Sequence, residues 1–227
     1  MERDYRLMTR AAFLAAAEKN PYNHGEEKRI LYGSFNPEYG YFGTKNSDRI
    51  NDYLRKRLKT PDPRWLTEAG KTIALLHKAA NAEALSEDVT LFRLFRLSYL
   101  KEHFSLEEGM ELSEQAKRIK EKCGTVFREM GFTSTGIRVD QNPDIFNPER
   151  PYLMVIKARA GTKAFVTANA REGEILFDAG LSIYVEEAED HLTDPLNVPL
   201  SDYGEKNEQT TARFFGIVMY GTITGGA

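Results

Sequence analysis

The chain has 227 residues, of which 41% are hydrophobic and 29% charged, with a formal net charge of -3. That length and balance fit a globular domain with a real core, and they argue against duplex nucleic acid as the main partner, although a local basic patch for an RNA acceptor stays open. The single cysteine, Cys123, excludes an intrachain disulfide and a Cys/His zinc set, and no run approaches the roughly 18 apolar residues of a membrane span.

The opening Met1-Glu2-Arg3-Asp4 leads into mixed polar sequence without the apolar core of a signal peptide. Met8 to Lys19, rich in Ala, Leu and Phe, predicts a helix that stops at Asn20-Pro21. Tyr22 to Gly43 reads as a polar, aromatic stretch punctuated by Gly33, Pro37, Gly40 and Gly43. A second helix is predicted from Ser47 to Leu58, with Ile50, Tyr53 and Leu54 on one face, Ser47 or Asp48 as cap and Pro61-Asp62-Pro63 as stop. A third runs from Trp65 to Ala84 on the stripe Leu66, Ile73, Leu76 and Ala80. After Ser86-Glu87-Asp88 the character changes. Val89 to Leu97 is rich in β-formers, Glu111 to Glu121 predicts another helix, and strand-like runs follow at 132–135, 153–158, 163–166, 174–177, 181–185 and 214–220. Helices first and strands afterwards imply an α+β fold: a helical N-terminal part (1–86) and a β-rich core (87–227) forming one domain, with the helices to one side of a mixed, largely antiparallel sheet.

Three local patterns carry chemistry. In Glu172-Gly173-Glu174, two carboxylates at i and i+2 project to one face of an extended chain, so that one can contact a sugar while the other takes a proton. Ile175-Leu176-Phe177 follows at once, which sets Glu174 where a loop enters a buried strand; the plain alternative is a solvated strand start. In Gly131-Phe132-Thr133-Ser134-Thr135-Gly136, small hydroxyls can position a carboxylate or donate to a ribose or amide, or else face water from an edge strand. In Leu91-Phe92-Arg93-Leu94, an arginine inside an apolar strand needs an anionic partner, either a phosphate or a structural ion pair. Arg96 falls on the opposite face if the strand stays regular. The four histidines form no ligand set and read as surface or packing residues; the chain carries no GxGxxG, no GxxxxGK[ST] and no G-x-S-x-G elbow.

Taken in order, Asp88-Val89-Thr90-Leu91-Phe92-Arg93, Phe132-Thr133-Ser134-Thr135-Gly136 and Glu172-Gly173-Glu174-Ile175-Leu176-Phe177 resemble the arginine–serine–glutamate clade of mono-ADP-ribosyltransferases. The similarity is closest to bacterial toxin-type members, such as the actin-modifying binary toxins and related phage and polymorphic-toxin domains. Arg49-Ile50-Asn51-Asp52-Tyr53-Leu54-Arg55 resembles the helix before the catalytic strands of that group, and Gly161-Thr162-Lys163-Ala164 the turn toward its Glu-x-Glu loop. Three positions depart from the pattern. Gly136 stands in place of the last serine and leaves Ser134 and Thr135 as the functional pair. Leu94 stands where a glycine or arginine commonly follows. Asn169 stands where many members place an acceptor-recognising ring.

The resemblance implies NAD as co-substrate, release of nicotinamide, no metal, and ADP-ribose transfer to a macromolecular acceptor, with Glu172 favouring a protein arginine. It implies that Arg93 contacts the phosphates or the adjacent ribose, that the Leu94 backbone pairs with the nicotinamide amide, and that Ser134 and Thr135 line the NAD site. Phe146 is a candidate ring for stacking on nicotinamide, with a core position as its alternative. Glu174 grips the ribose 2'-hydroxyl and stabilises the cationic centre, Ser134 orients Glu174, and Glu172 deprotonates or positions the acceptor. The loop Ala168-Asn169-Ala170-Arg171 borders the acceptor, so Asn169, Arg171 and Glu172 form its recognition set, and Arg171 favours an acidic or phosphate-bearing surface. NAD hydrolysis, a nucleic-acid acceptor and a non-catalytic binding module of the same fold are the competing readings. As a bacterial toxin or effector the chain is expected to act in a cytoplasm, delivered from another cell or by a phage, with a cognate immunity protein as partner and no membrane association.

Overall fold

Four helices precede the first strand, and three of them begin or end on a local cause. α1 (Arg10–Lys19) is capped by Thr9, whose hydroxyl accepts the Ala12 N–H at 3.1 Å. α4 (Pro63–Ala82) starts with Pro63 in its first turn and the Asp62 carboxylate on the N–H groups of Arg64 and Trp65. Between them lie a 3-10 turn (Pro21–Asn23), α2 (Gly25–Leu31) and α3 (Asn46–Leu54). The structure is a computed structural model that describes residues 5–34, 36–42, 44–139, 144–145, 151–169, 173–199 and 211–225. α2 falls inside the stretch expected to be irregular; it is short and buries only Leu31, so it leaves no apolar period to read. α3 ends at Leu54, short of the expected Leu58, because Lys56 takes a left-handed conformation at φ 58°. Neither Ser47 nor Asp48 caps it: both lie within its first turn, and Ser47 donates back to the Thr44 carbonyl.

The remaining helices are α5 (Leu97–Phe104) and α6 (Leu112–Glu121). The strands are β1 (Val89–Phe95), β2 (Thr125–Glu129), β3 (Thr133–Gly136), β4 (Asp144–Ile145), β5 (Tyr152–Ala158), β6 (Phe165–Val166), β7 (Glu174–Phe177), β8 (Leu181–Pro199) and β9 (Thr211–Gly225). They form one sheet in the order β2-β8-β9-β5-β1-β3-β7-β6, with β4 beside β9. β9 runs parallel to β4 and β5, and the other pairings are antiparallel. The sheet is therefore mixed and largely antiparallel, as expected. The terminal strand runs are longer than predicted, because β8 and β9 continue as one long hairpin through polar sequence.

Helices cover both faces of the sheet rather than one. β7 alternates between them: Ile175 and Phe177 join the cluster containing Phe13 of α1, Phe104 of α5 and Ile119 of α6. Leu176 joins Leu31, Ile50, Trp65 and Leu76 of α2, α3 and α4 on the opposite face. These three β7 side chains are fully buried, each worth about 1.5–3 kcal/mol of apolar transfer. β7 is thus clamped from both faces, and whatever its first residue carries is held on a rigid strand. Among the described residues no helix is long and apolar enough to cross a membrane.

Candidate functional site

The site follows from how two central strands part. β1 and β3 share one register pair, Phe92↔Gly136, while β1 pairs along its other edge with β5 from Val89↔Ala158 to Phe95↔Tyr152. Beyond Phe92 the β3 side of β1 opens, and a cleft of about 510 Å³ enters between the strands. Its walls include Arg93 and Leu94 of β1, Ser134 and Thr135 of β3, Glu174 of β7, and Asn51 and Arg55 from the end of α3.

β3 is no edge strand. It lies between β1 and β7, Thr133 and Thr135 are buried, and Thr135 commits its hydroxyl to the Ile175 carbonyl at 2.8 Å. Ser134 pairs with Leu176 and Gly136 with Glu174, so Ser134 and Glu174 are diagonal neighbours on one face. The Ser134 hydroxyl donates to Glu174 Oε1 at 2.5 Å. Glu174 is 8% exposed, and a carboxylate that far from water needs such a donor. Gly173 turns the chain into β7 at φ 58°, a conformation costly for a side chain; its N–H donates to the Asn169 carbonyl, and its own carbonyl accepts the Ile137 N–H.

Arg93 reaches the same place from β1. Its Nη1 donates to the Ser134 carbonyl at 3.0 Å, and Nη2 lies 4.0 Å from Glu129 Oε2. Burial pulls the Arg93 guanidinium below its ordinary value, the Glu129 charge opposes this, and neighbouring Arg55 adds to it. Arg93 therefore has one of the two partners the sequence left open, a protein carboxylate at long range, and it also lines an open cleft. Arg96 does not fall on the far face. β1 ends at Phe95, Arg96 becomes the cap position of α5, and its side chain lines the cleft.

Two participants escaped the sequence reading. Arg55 was visible only as part of the α3 segment, and Glu129 not at all. Arg55 Nε donates to Glu129 Oε1 at 2.8 Å, and the two side chains are 5% and 3% exposed. The Nη1 and Nη2 atoms of Arg55 are buried without a hydrogen-bond partner, although Nη1 lies 3.9 Å from Asp52 Oδ1. Burial disfavours the Arg55 charge, but the hydrogen bond and charge of Glu129 outweigh it and its pKa is raised. The Tyr99 ring packs 4.1 Å from the guanidinium carbon. α3 is itself tied to β3: Asn51 Oδ1 accepts the Phe132 N–H, and Asn51 Nδ2 donates to the Tyr41 hydroxyl, whose pKa burial raises. Gly131 makes this approach feasible, since a Cβ there would meet Asn51 Oδ1 at 2.8 Å and Arg55 Nη2 at 3.0 Å.

Of the residues singled out in the sequence, Arg93, Leu94, Ser134, Thr135, Asn169 and Glu174 gather around this one cleft. Phe146, Arg171 and Glu172 lie outside the described residues. His77 is not merely a surface group: its Nδ1 sits 2.5 Å from Asp178 Oδ1 and its ring 5.0 Å from Phe132, hooking α4 to the residue after β7. Among the described residues no group of three or more His, Cys, Asp or Glu side chains is arranged to hold a metal.

A mixed sheet split between two central strands, with an arginine on one side and a serine–glutamate pair on the other, matches known proteins in fold. Solved structures similar to this chain include Plx2a, an ADP-ribosyltransferase toxin from Paenibacillus larvae (20% identity over 93% of this chain and 92% of that one, TM-score 0.62). They also include an ADP-ribosyltransferase from Clostridium botulinum (15% identity, 97% and 99%, TM-score 0.60) and the C3 exoenzyme of Clostridium limosum (18% identity, 98% and 98%, TM-score 0.57). No curated protein sequence matches. The sequence model of the ADP-ribosyltransferase exoenzyme family matches residues 37–210, well over half of the chain. This protein therefore belongs to the ADP-ribosyltransferase exoenzyme family, NAD-dependent enzymes that transfer single ADP-ribose units.

Proposed function

We propose that the cleft between β1 and β3 binds NAD and that Glu174, oriented by Ser134, drives transfer of its ADP-ribose to a protein arginine. The observation that supports this most is the 2.5 Å bond from Ser134 to a buried Glu174 carboxylate that lines an arginine-rich cleft. The donor set fits the substrate. Arg55 carries buried guanidinium nitrogens without a hydrogen-bond partner, and Arg93 Nη2 meets Glu129 only at 4.0 Å; such groups suit a pyrophosphate. A cleft of about 510 Å³ lies within the range of ligand sites.

NAD supplies the ADP-ribosyl group and nicotinamide as the leaving group. Glu174 accepts a hydrogen bond from the ribose 2'-hydroxyl and stabilises positive charge developing at the anomeric carbon. The glycosidic carbon–nitrogen bond breaks with its electron pair leaving on nicotinamide. The acceptor guanidinium nitrogen forms the new bond to that carbon, and its proton passes to Glu172. Leu94 and Phe146 are the proposed nicotinamide contacts, Thr135 lines the cleft, and Asn169 and Arg171 are the proposed acceptor contacts. The arginine acceptor rests on the Glu-x-Glu pattern of Glu172 and Glu174, and the role as a bacterial toxin or effector on the family.

Incubation with NAD labelled in its adenylate part separates the readings. Label on protein, released by the chemistry that cleaves arginine linkages, supports the proposal. Label recovered only as free ADP-ribose replaces transfer with NAD hydrolysis, and unchanged NAD removes both.

A further inference from the structure

The chemistry proposed above gives Glu129 no task, although at 2% exposure it is more buried than Glu174. It closes β2, and one of its oxygens, Oε1, accepts two bonds: Arg55 Nε at 2.8 Å and the Gly131 N–H at 2.8 Å. The other oxygen, Oε2, faces Arg93 Nη2 at 4.0 Å, beyond hydrogen-bond length. A buried ion pair is weak evidence for stability, because apolar side chains of like volume often serve as well. A buried carboxylate that contacts two guanidiniums, both of them lining a cleft, calls for a different account. Without it, Arg55 and Arg93 would repel each other across a dry site, and each would retreat toward water.

We infer that Glu129 is a positioning residue for NAD: it holds the guanidiniums of Arg55 and Arg93 side by side for the pyrophosphate and leaves the trio with one excess positive charge. This rests on the reading that the two arginines take the phosphates. The asymmetry of its contacts is part of the arrangement. Arg55 is fixed to Glu129 by a hydrogen bond, whereas Arg93 meets Glu129 by charge alone and rests on the Ser134 carbonyl and the Phe95 ring, so its Nη2 remains able to close on a ligand oxygen. The Gly131 bond adds a second effect. The same oxygen that fixes Arg55 also fixes the turn into β3, and with it the approach to Ser134.

Calorimetric titration with ADP-ribose and with NAD tests this on the intact chain. Glu129→Gln keeps the acceptor for Arg55 and Gly131 but turns an amide toward Arg93, and it is expected to weaken both ligands by about tenfold or more. Nicotinamide inhibition should stay within about twofold, and in steady-state assays the loss should fall on KM rather than kcat. In an Arg55→Lys background the further effect of Glu129→Gln should shrink below about threefold, since one of its two charged partners has already lost its fit. Glu129→Asp, which keeps the charge but withdraws it by one methylene, should give an intermediate loss and is read by the same criteria if the glutamine variant does not fold. The proposal is overturned if the folded Glu129 variants bind ADP-ribose as the parent does while Arg55→Lys and Arg93→Lys weaken it. If neither arginine substitution weakens ADP-ribose, the phosphate reading itself falls, and the role of Glu129 falls with it.

Discussion

Replacing Ser134 by alanine removes one hydroxyl, and the structure sets how much that should matter. Its bond to Glu174 is short, is made to a carboxylate and lies where Glu174 is 8% exposed. A hydrogen bond to a charged group is worth about 1.5–3 kcal/mol, and about 1.4 kcal/mol is a factor of ten in rate, so kcat should fall on the order of ten- to a hundredfold. The loss should appear in kcat, because Arg55 and Arg93, which carry the proposed phosphate contacts, keep their carboxylate partner Glu129. The assay is release of labelled nicotinamide at saturating NAD, with circular dichroism to confirm the fold. In a Glu174→Gln background the same substitution should add little, since the carboxylate it serves is gone. A fall of less than about twofold in the parent background, or a full additional effect in the Glu174→Gln background, would refute the claim that Ser134 acts through Glu174.

Arg93→Lys should weaken NAD binding by calorimetry more than Arg96→Lys. Lysine keeps the charge but loses the planar fork, and only Arg93 sits against Ser134 and Glu129; the reverse ranking would move the phosphate site toward α5. Glu172→Gln should suppress transfer to protein far more than NAD hydrolysis, and equal loss of both would end the proposed division of labour between the two glutamates. Burial, aided by Lys122, holds the His103 imidazole below its ordinary 6.5. The folded state then binds fewer protons than the unfolded one, so this stabilisation is full above about pH 6.5 and is lost as pH falls through the depressed folded value. Melting temperature should therefore drop between about pH 7.5 and 5.5, and His103→Gln should flatten that slope; an unchanged slope in the variant counts against it.

The elements legible in the sequence were those that bury a continuous or periodic apolar face. Glu174-Ile175-Leu176-Phe177 is buried at every position and was found with its bounds. α4 showed its stripe because Leu76 and Ala80 enter the core at helical spacing. β2 was missed because Thr125-Val126-Phe127-Arg128-Glu129 carries a single buried apolar residue, and the second buried side chain is a glutamate. α5 is not foreseen, because the β-forming run extends to Leu97, its first residue; the change of period shows only once Leu100 and Phe104 are taken together. The same division runs through the site. Arg93, Ser134 and Glu174 announce themselves by an odd residue type in a strand or by a short motif. Arg55 and Glu129 are 74 positions apart, and their pairing exists only because Asn51 and Gly131 let α3 approach β3 closely.

The most direct test of the central claim is the activity of Glu174→Gln with labelled NAD. The substitution preserves shape and leaves an acceptor for Ser134, but it removes the charge that stabilises the breaking glycosidic bond. A folded variant that still binds NAD while losing both protein labelling and free ADP-ribose release by about a hundredfold or more is the predicted result. A folded variant that hydrolyses or transfers at near the parent rate would contradict it, because the carboxylate held by Ser134 would then not be the group acting on NAD.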